Sequence, residues 1–177
     1  QDLEILREPT ATDAAFLALL DGRGESIDSI ASARAPFALC RPEELRGERL
    51  DALPWIRSRL EHVRILEFRD TVAVRPEQVA DAARLAGIEI RSLLLIAFAV
   101  QGTVRGFLAF ASAGPRDGWD VNLHLLLKLV GTSLATGLER MSLADRLASL
   151  QERQDLALPC ANDGLWDWDH VAGHLHY

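Results

Sequence analysis

The sequence is short of the residues that usually announce chemistry. It has two cysteines, Cys40 and Cys160, which lie far apart and match no metal-ligand spacing. A reducing compartment is the default for such a chain, and a cytoplasmic location is expected. No Gly-x-Ser-x-Gly elbow surrounds Ser92, and no Walker A loop occurs. Basic charge is in deficit: 19 Lys and Arg against 26 Asp and Glu give a net charge of -7. That balance disfavours a nonspecific nucleic-acid binder, which needs a basic surface to neutralise phosphates. It leaves room for a small anionic ligand held by backbone amides. No run approaches the ~20 apolar residues of a membrane span, and no basic-then-apolar signal segment opens the chain. No membrane contact is therefore expected in this segment. The first residue is Gln1 rather than Met, so the chain is expected to be part of a longer protein. Internal repeats and low-complexity tracts are lacking.

What is present is enough, at 177 residues, for one full domain and part of another. The most apolar stretch is 87–110, GIEIRSLLLIAFAVQGTVRGFLAF. Ser92 to Val100, bounded by Gly87 and Gly102, fits a buried strand. Gln101-Gly102-Thr103 is short enough for a tight hairpin, with Gly102 at positive φ, and Val104 to Ser112 forms the returning strand. That strand alternates, and both of its faces carry bulky apolar residues, so both need cover. Gly106 in mid-strand marks a bulge or a close helix approach, or else room for a ligand.

Along the chain, 1–12 is polar and reads as a linker or helix end. Asp13 to Asp21 and Ser26 to Ala33, separated by a Gly-containing turn, form a first hairpin. Pro54-Trp55 opens a short helix, and Val63 to Phe68 is a short strand. Pro76 to Ala86 is a helix that Gly87 ends, with an apolar face of Val79, Ala80, Ala83 and Leu85 or Ala86. Asp120 caps a long helix that starts near Val121 and stops at Pro159. At 100° per residue this helix carries two stripes. Leu123, Leu127, Val130, Leu134, Leu138 and Met141 face the domain's own sheet. Leu125, Leu129, Leu143, Leu147 and Leu150 lie roughly opposite and await a partner helix, as in a coiled coil. Beyond Pro159, Leu165 to Asp169 and His174 to Tyr177 read as two short strands, too few to bury a core.

The five histidines offer no complete metal set. His174 and His176 alternate on one strand face without a third ligand, so a surface pair is expected and no metal. Cys40 reads as a small packed residue rather than a redox thiol. Asp70 and Asp81 form an acid/base pair only if the fold brings them together.

Several of these segments resemble one family. Pro54-Trp55, Ile65-Leu66-Glu67-Phe68-Arg69-Asp70, Gly87-Ile88 with Ser92-Leu93-Leu94, Gly102 with Gly106-Phe107-Leu108 and Phe110, then Trp119 and the leucine-rich helix to Arg140 are similar to a GAF domain of bacterial multidomain signalling proteins. The segment from Leu156 through Asn162-Asp163-Gly164-Leu165-Trp166-Asp167 resembles the opening of a PAS domain. The resemblance implies an α+β fold, with a central antiparallel β-sheet flanked by helices and a long C-terminal signalling helix. It divides the chain into a linker (1–12), a GAF-like sensory domain (13–141), a connecting helix (142–158) and a truncated PAS-like start (159–177). It implies a regulatory input module rather than an enzyme, in a diguanylate cyclase or cyclic-di-GMP phosphodiesterase. The alternative is a ligand-free dimerisation or spacer module of a sensor histidine kinase. Methionine sulfoxide reductases share the fold, but they need reactive cysteines and only Cys40 lies in the domain. The Asn-Lys-Phe-Asp-Glu set of cyclic-nucleotide-binding members is missing. The bilin-attaching cysteine beside a histidine is missing too, since Arg41 follows Cys40. No cofactor is identified, and an unknown small ligand is expected between the sheet and the short helices. The alanine-rich face of the 76–86 helix leaves space there, beside Trp55, Phe68, Val79, Ala83, Leu94, Ile96 and Phe98. The partners expected are a second copy, in a parallel homodimer through Leu125, Leu129, Leu143, Leu147 and Leu150, and the PAS and output domains downstream.

Overall fold

Five strands form one antiparallel sheet. The computed structural model describes residues 2–60, 65–160, 167–169 and 174–176, with side chains for 3–8, 10–60 and 65–152. The strands are β1 (Ala14–Leu20), β2 (Ile27–Arg34), β3 (Ile65–Phe68), β4 (Ser92–Val100) and β5 (Thr103–Ser112). Their order across the sheet is β2-β1-β5-β4-β3, so β2 and β3 are the edges. The helices are α1 (Asp2–Arg7), α2 (Pro54–Leu60), α3 (Val79–Ala86) and α4 (Val121–Cys160). A second pair of strands, β6 (Asp167–Asp169) and β7 (His174–His176), is antiparallel. The expected α+β architecture, an antiparallel sheet between helices with a long C-terminal helix, is what the chain adopts.

The chain divides into two units, Gln1–Gly137 and Leu138–Tyr177. The first has a core on each face of the sheet, as strands apolar on both sides require. On one face Phe16, Leu93, Leu95, Phe107 and Ala109 pack with Ile56 and Leu60 of α2 and Ala82 and Leu85 of α3. On the other, Leu94, Ile96, Leu108 and Phe110 pack with Trp119, Leu123 and Leu127. Leu3 and Leu6 of α1 join this second core, so part of the segment read as a linker packs on the domain.

The β4–β5 hairpin closes through Gln101 and Gly102, with φ of 52° and 78° and Val100 paired to Thr103. Two positive φ values in a two-residue loop suit the right-handed twist of the strands. Gly106 is a close-approach position, but what approaches is β1 and a β4 side chain rather than a helix. A Cβ there would lie 2.2 Å from the Ala18 carbonyl oxygen and 2.6 Å from Phe98 Cζ. The β4–β5 register also shifts between Phe98 and Ala99, so the bulge and the close approach occur together and the ligand-space reading of Gly106 falls away.

The Asp120 side chain accepts from the Asn122 N–H at 2.8 Å and caps α4. Leu123 and Leu127 are buried, while Val130 and Leu134 are half-buried against the sheet. Gly131 lets the helix come down on Ile96, whose Cδ1 would be 3.4 Å from an added Cβ. Met141, at the end of that stripe, is exposed. Part of α4, Val121–Glu152, has the length and composition of a membrane span, contrary to the expectation that nothing here does. Its apolarity is divided between Leu123 and Leu127, which the sheet covers, and the exposed second stripe. The strands read at 165–169 and 174–177 appear as β6 and β7. Helix α4 continues through Pro159 to Cys160 rather than stopping at the proline; residues 161–166, 170–173 and 177 of the PAS-like start, and the side chains of His174 and His176, lie outside the described residues.

Candidate functional site

The helix that sequence periodicity placed over a ligand is turned the other way. In α3 the inward residues are Asp81, Ala82 and Leu85, while Val79, Ala80 and Ala83 are exposed. The physical reason is Asp81. Helix α2 starts after Leu53, which has no side-chain acceptor for the free N–H groups of a first turn. Asp81 supplies both acceptors from across the fold: Oδ2 takes the Trp55 N–H at 3.0 Å and Oδ1 the Ile56 N–H at 2.8 Å. Burial raises the Asp81 pKa, and the two N–H donors oppose that rise.

Strand parity is likewise reversed relative to the expectation. Leu94 and Ile96 face α4, and it is Leu93, Leu95 and Ala97 that look toward α2 and α3. Because every one of these residues is apolar, the alternation alone could not choose between the faces. Phe98 lies over Gly106. Of the seven ligand candidates, only Trp55 and Phe68 line the site described next.

That site is an open cleft of about 550 Å³ at the β3 edge of the sheet. Its apolar wall is Trp55, Phe68, Ala73 and Val74. The Trp55 and Phe68 rings meet edge to face, with centroids 4.9 Å apart and planes at 74°, a favourable quadrupole arrangement. The Arg59 guanidinium lies 6.0 Å from the Trp55 ring centre, within cation–π reach. The polar wall is Glu67, Arg69, Asp70, Arg75 and Gln78. Arg69 Nε donates to Glu67 at 2.5 Å. Arg91 grips Asp70 through two bonds of 2.9 and 3.1 Å and holds its carboxyl below the usual range. Asp70 and Asp81 thus serve different partners and form no acid/base pair. Of this polar lining, sequence reasoning picks out Asp70 alone, as half of a conditional acid/base pair. The signal for the rest was there, in a charged, proline-ended loop leaving a strand, where binding residues concentrate.

Two contacts run from this cleft toward the start of α4. Glu67 Oε2 lies 3.8 Å from His124 Nε2. The Arg69 carbonyl accepts the Arg116 N–H at 2.9 Å, and the Arg116 guanidinium sits 4.7 Å from the Trp119 ring centre. Among the described residues no group of three or more His, Cys, Asp or Glu could hold a metal ion.

No family model and no curated protein matches this sequence. Solved structures do match. The blue-light absorbing form of the Thermosynechococcus elongatus PixJ GAF domain superposes with a TM-score of 0.65 at 16% identity, over 85% of this chain and 88% of that one. A phycocyanobilin-bound GAF domain from a cyanobacterial phytochrome gives a TM-score of 0.64 at 16% identity, over 80% and 82%. The chromophore-binding domain of Stigmatella aurantiaca bacteriophytochrome gives 0.59 at 14% identity, over 77% of this chain and 51% of that one. The fold of this chain is therefore the GAF fold.

Covalent bilin does not fit the described residues. Cys40 is fully buried, and its thiol donates to the Glu89 carbonyl at 3.1 Å. Burial pushes its pKa up to about 12, so it offers no thiolate at neutral pH. The Cys160 side chain is outside the described residues.

Proposed function

We propose that this chain is the regulatory sensory module of a bacterial signal-transduction protein, and that it does no chemistry itself. The observation that carries the reading is a GAF fold whose edge cleft touches the first turn of the long helix through Glu67–His124 and the segment leading into it through Arg69–Arg116. A small ligand in the cleft would perturb those contacts, and α4 would carry the change onward. The similarity to bilin-bound GAF domains supports a ligand of small-molecule size. Cys40 is not a point of covalent attachment for it, because its thiol is buried.

The output domain of this reading is a diguanylate cyclase or cyclic-di-GMP phosphodiesterase, reached through a PAS domain, in the cytoplasm. Two copies associate in parallel through Leu125, Leu129, Leu143, Leu147 and Leu150, all exposed in the single chain. The second reading is a ligand-free spacer of a sensor histidine kinase. It is favoured by the packed inner face of α3, which leaves no space where the alanines were expected to provide it.

Native mass spectrometry of the purified chain, followed by thermal-shift screening against a metabolite panel, separates the two. A co-purifying small molecule, or a stabilising hit lost in Trp55→Leu, supports the sensor. Silence in both measurements supports the spacer.

A further inference from the structure

We propose that the β3-edge cleft takes a small arylcarboxylate-class monoanion, its charge on Arg75 and Gln78 and its ring against Trp55. This rests on the sensory reading above. The argument is an account of donors and acceptors. Both acidic side chains in the lining are already paired with an arginine. Glu67 accepts from Arg69 at 2.5 Å, and its other oxygen faces His124. Asp70 accepts from the Val72 N–H at 3.0 Å and twice from Arg91. A cationic ligand would have to displace Arg69 or Arg91 from an existing charge-assisted bond. Gln78 Oε1 is also taken, by the Arg75 N–H at 3.1 Å.

The donors are in the opposite condition. Among the described residues the Arg75 guanidinium has no carboxylate partner, and Gln78 Nε2 has no acceptor. Among the described residues the lining therefore presents one positive charge without a carboxylate partner, Arg75, and an amide donor beside it; Arg59 lies outside the lining, 6.0 Å from the Trp55 ring centre. A single negative charge matches that set. A dianion such as phosphate would leave its second charge close to Glu67 and Asp70, where like charges repel.

The apolar wall sets the rest of the ligand. Trp55 is half-buried, and the Phe68 edge meets it, with Ala73 and Val74 alongside. A flat ring recovers apolar burial there that a short aliphatic acid does not. A volume of about 550 Å³ is in the range of small-molecule sites.

The test is isothermal titration of the full chain with benzoate and phenylacetate. The controls are their neutral amides, benzylamine and inorganic phosphate. Both carboxylates should bind, and their amides at least about tenfold more weakly, as the loss of one charge-assisted contact predicts. Arg75→Gln should weaken carboxylate binding by about tenfold. Arg75 is exposed, so the variant keeps the wild-type melting temperature, and Arg75→Lys restores part of the affinity. Amides binding as well as the acids, an unaffected Arg75→Gln, or preference for benzylamine or phosphate would each overturn the assignment. Amide or amine binding that Trp55→Leu removes would overturn only the charge class and leave the sensor reading intact. Silence from every probe overturns the class, while the search for a co-purifying molecule judges the sensor reading separately.

Discussion

Gly106 carries more structural weight than any side chain near it. Its missing Cβ is what lets the Ala18 carbonyl and the Phe98 ring close over the β5 backbone. The nearer obstacle is main chain and cannot rotate away. Gly106→Ala should therefore cost about 1–3 kcal/mol, the range for overpacking a core, read as a lower urea midpoint with unchanged slope. Asp81 is the second such residue. Asp81→Ala strips the acceptors from the α2 N-terminus and should cost about 1–2 kcal/mol. Burial holds the folded Asp81 pKa above its unfolded value, so its contribution is full below the unfolded pKa and fades as pH rises through the folded one. Wild type should gain on Asp81→Asn as pH falls from neutral into the carboxylate range. Asp70, held low by Arg91, has the opposite sign: its stabilisation is present above the unfolded pKa and is lost as pH falls through the folded one. Matched denaturation series at several pH values read both slopes. Cys40 makes a chemical prediction. In a Cys160→Ser background, native protein should resist iodoacetamide at pH 8 and label fully in urea, as a buried thiol with a pKa of about 12 requires. Fast native labelling would show an exposed thiolate instead.

At the scale of elements, strand positions were legible and facing was not. The runs 92–100 and 103–112 announced themselves by apolar content and the Gln-Gly turn between them. Gln101 adopts φ of 52°, which a β-branched or long side chain takes only at a cost, while Asn tolerates it well. Gln101→Asn should therefore raise stability by roughly 0.5 kcal/mol, measured by thermal denaturation. Helix α3 was found in the right place and wrongly rotated. Alanines contribute little burial energy, so Val79, Ala80 and Ala83 could not outweigh two N–H groups that needed Asp81. Local periodicity cannot register a demand made by a helix 25 residues earlier.

At the scale of the molecule, the question is what covers the exposed leucines of α4. In the first unit these are Leu125 and Leu129; in the second, Leu143, Leu147 and Leu150. Burying one such side chain is worth roughly 1.5–3 kcal/mol, so several per protomer can offset the entropy of association. Light scattering of the wild type should give a dimer mass. Leu143→Glu with Leu147→Glu should give a monomer of unchanged helical content. A wild type monomeric at high micromolar concentration, or a variant dimer as tight as wild type, would falsify this interface.

The sequence alone determined what depends on neighbours along the chain. It placed the two hairpins, the proline-opened helix at Pro54, the Asp120 cap and the two leucine stripes of α4, because turns, caps and periodicity act over a few residues. Of the residues expected beside the alanine-rich helix face, Trp55 and Phe68 line the edge cleft. Only the tertiary structure decided which face of β4 met which helix, since Leu93 to Ile96 are apolar on both sides and parity has two equal answers. It alone turned α3 to bring Asp81 to Trp55 and Ile56. It alone paired the carboxylates of Glu67 and Asp70 with Arg69 and Arg91, leaving Arg75 without a carboxylate partner among the described residues. A charge's availability depends on what the folded chain sets opposite it, and the spacing of residues along the chain carries no record of that.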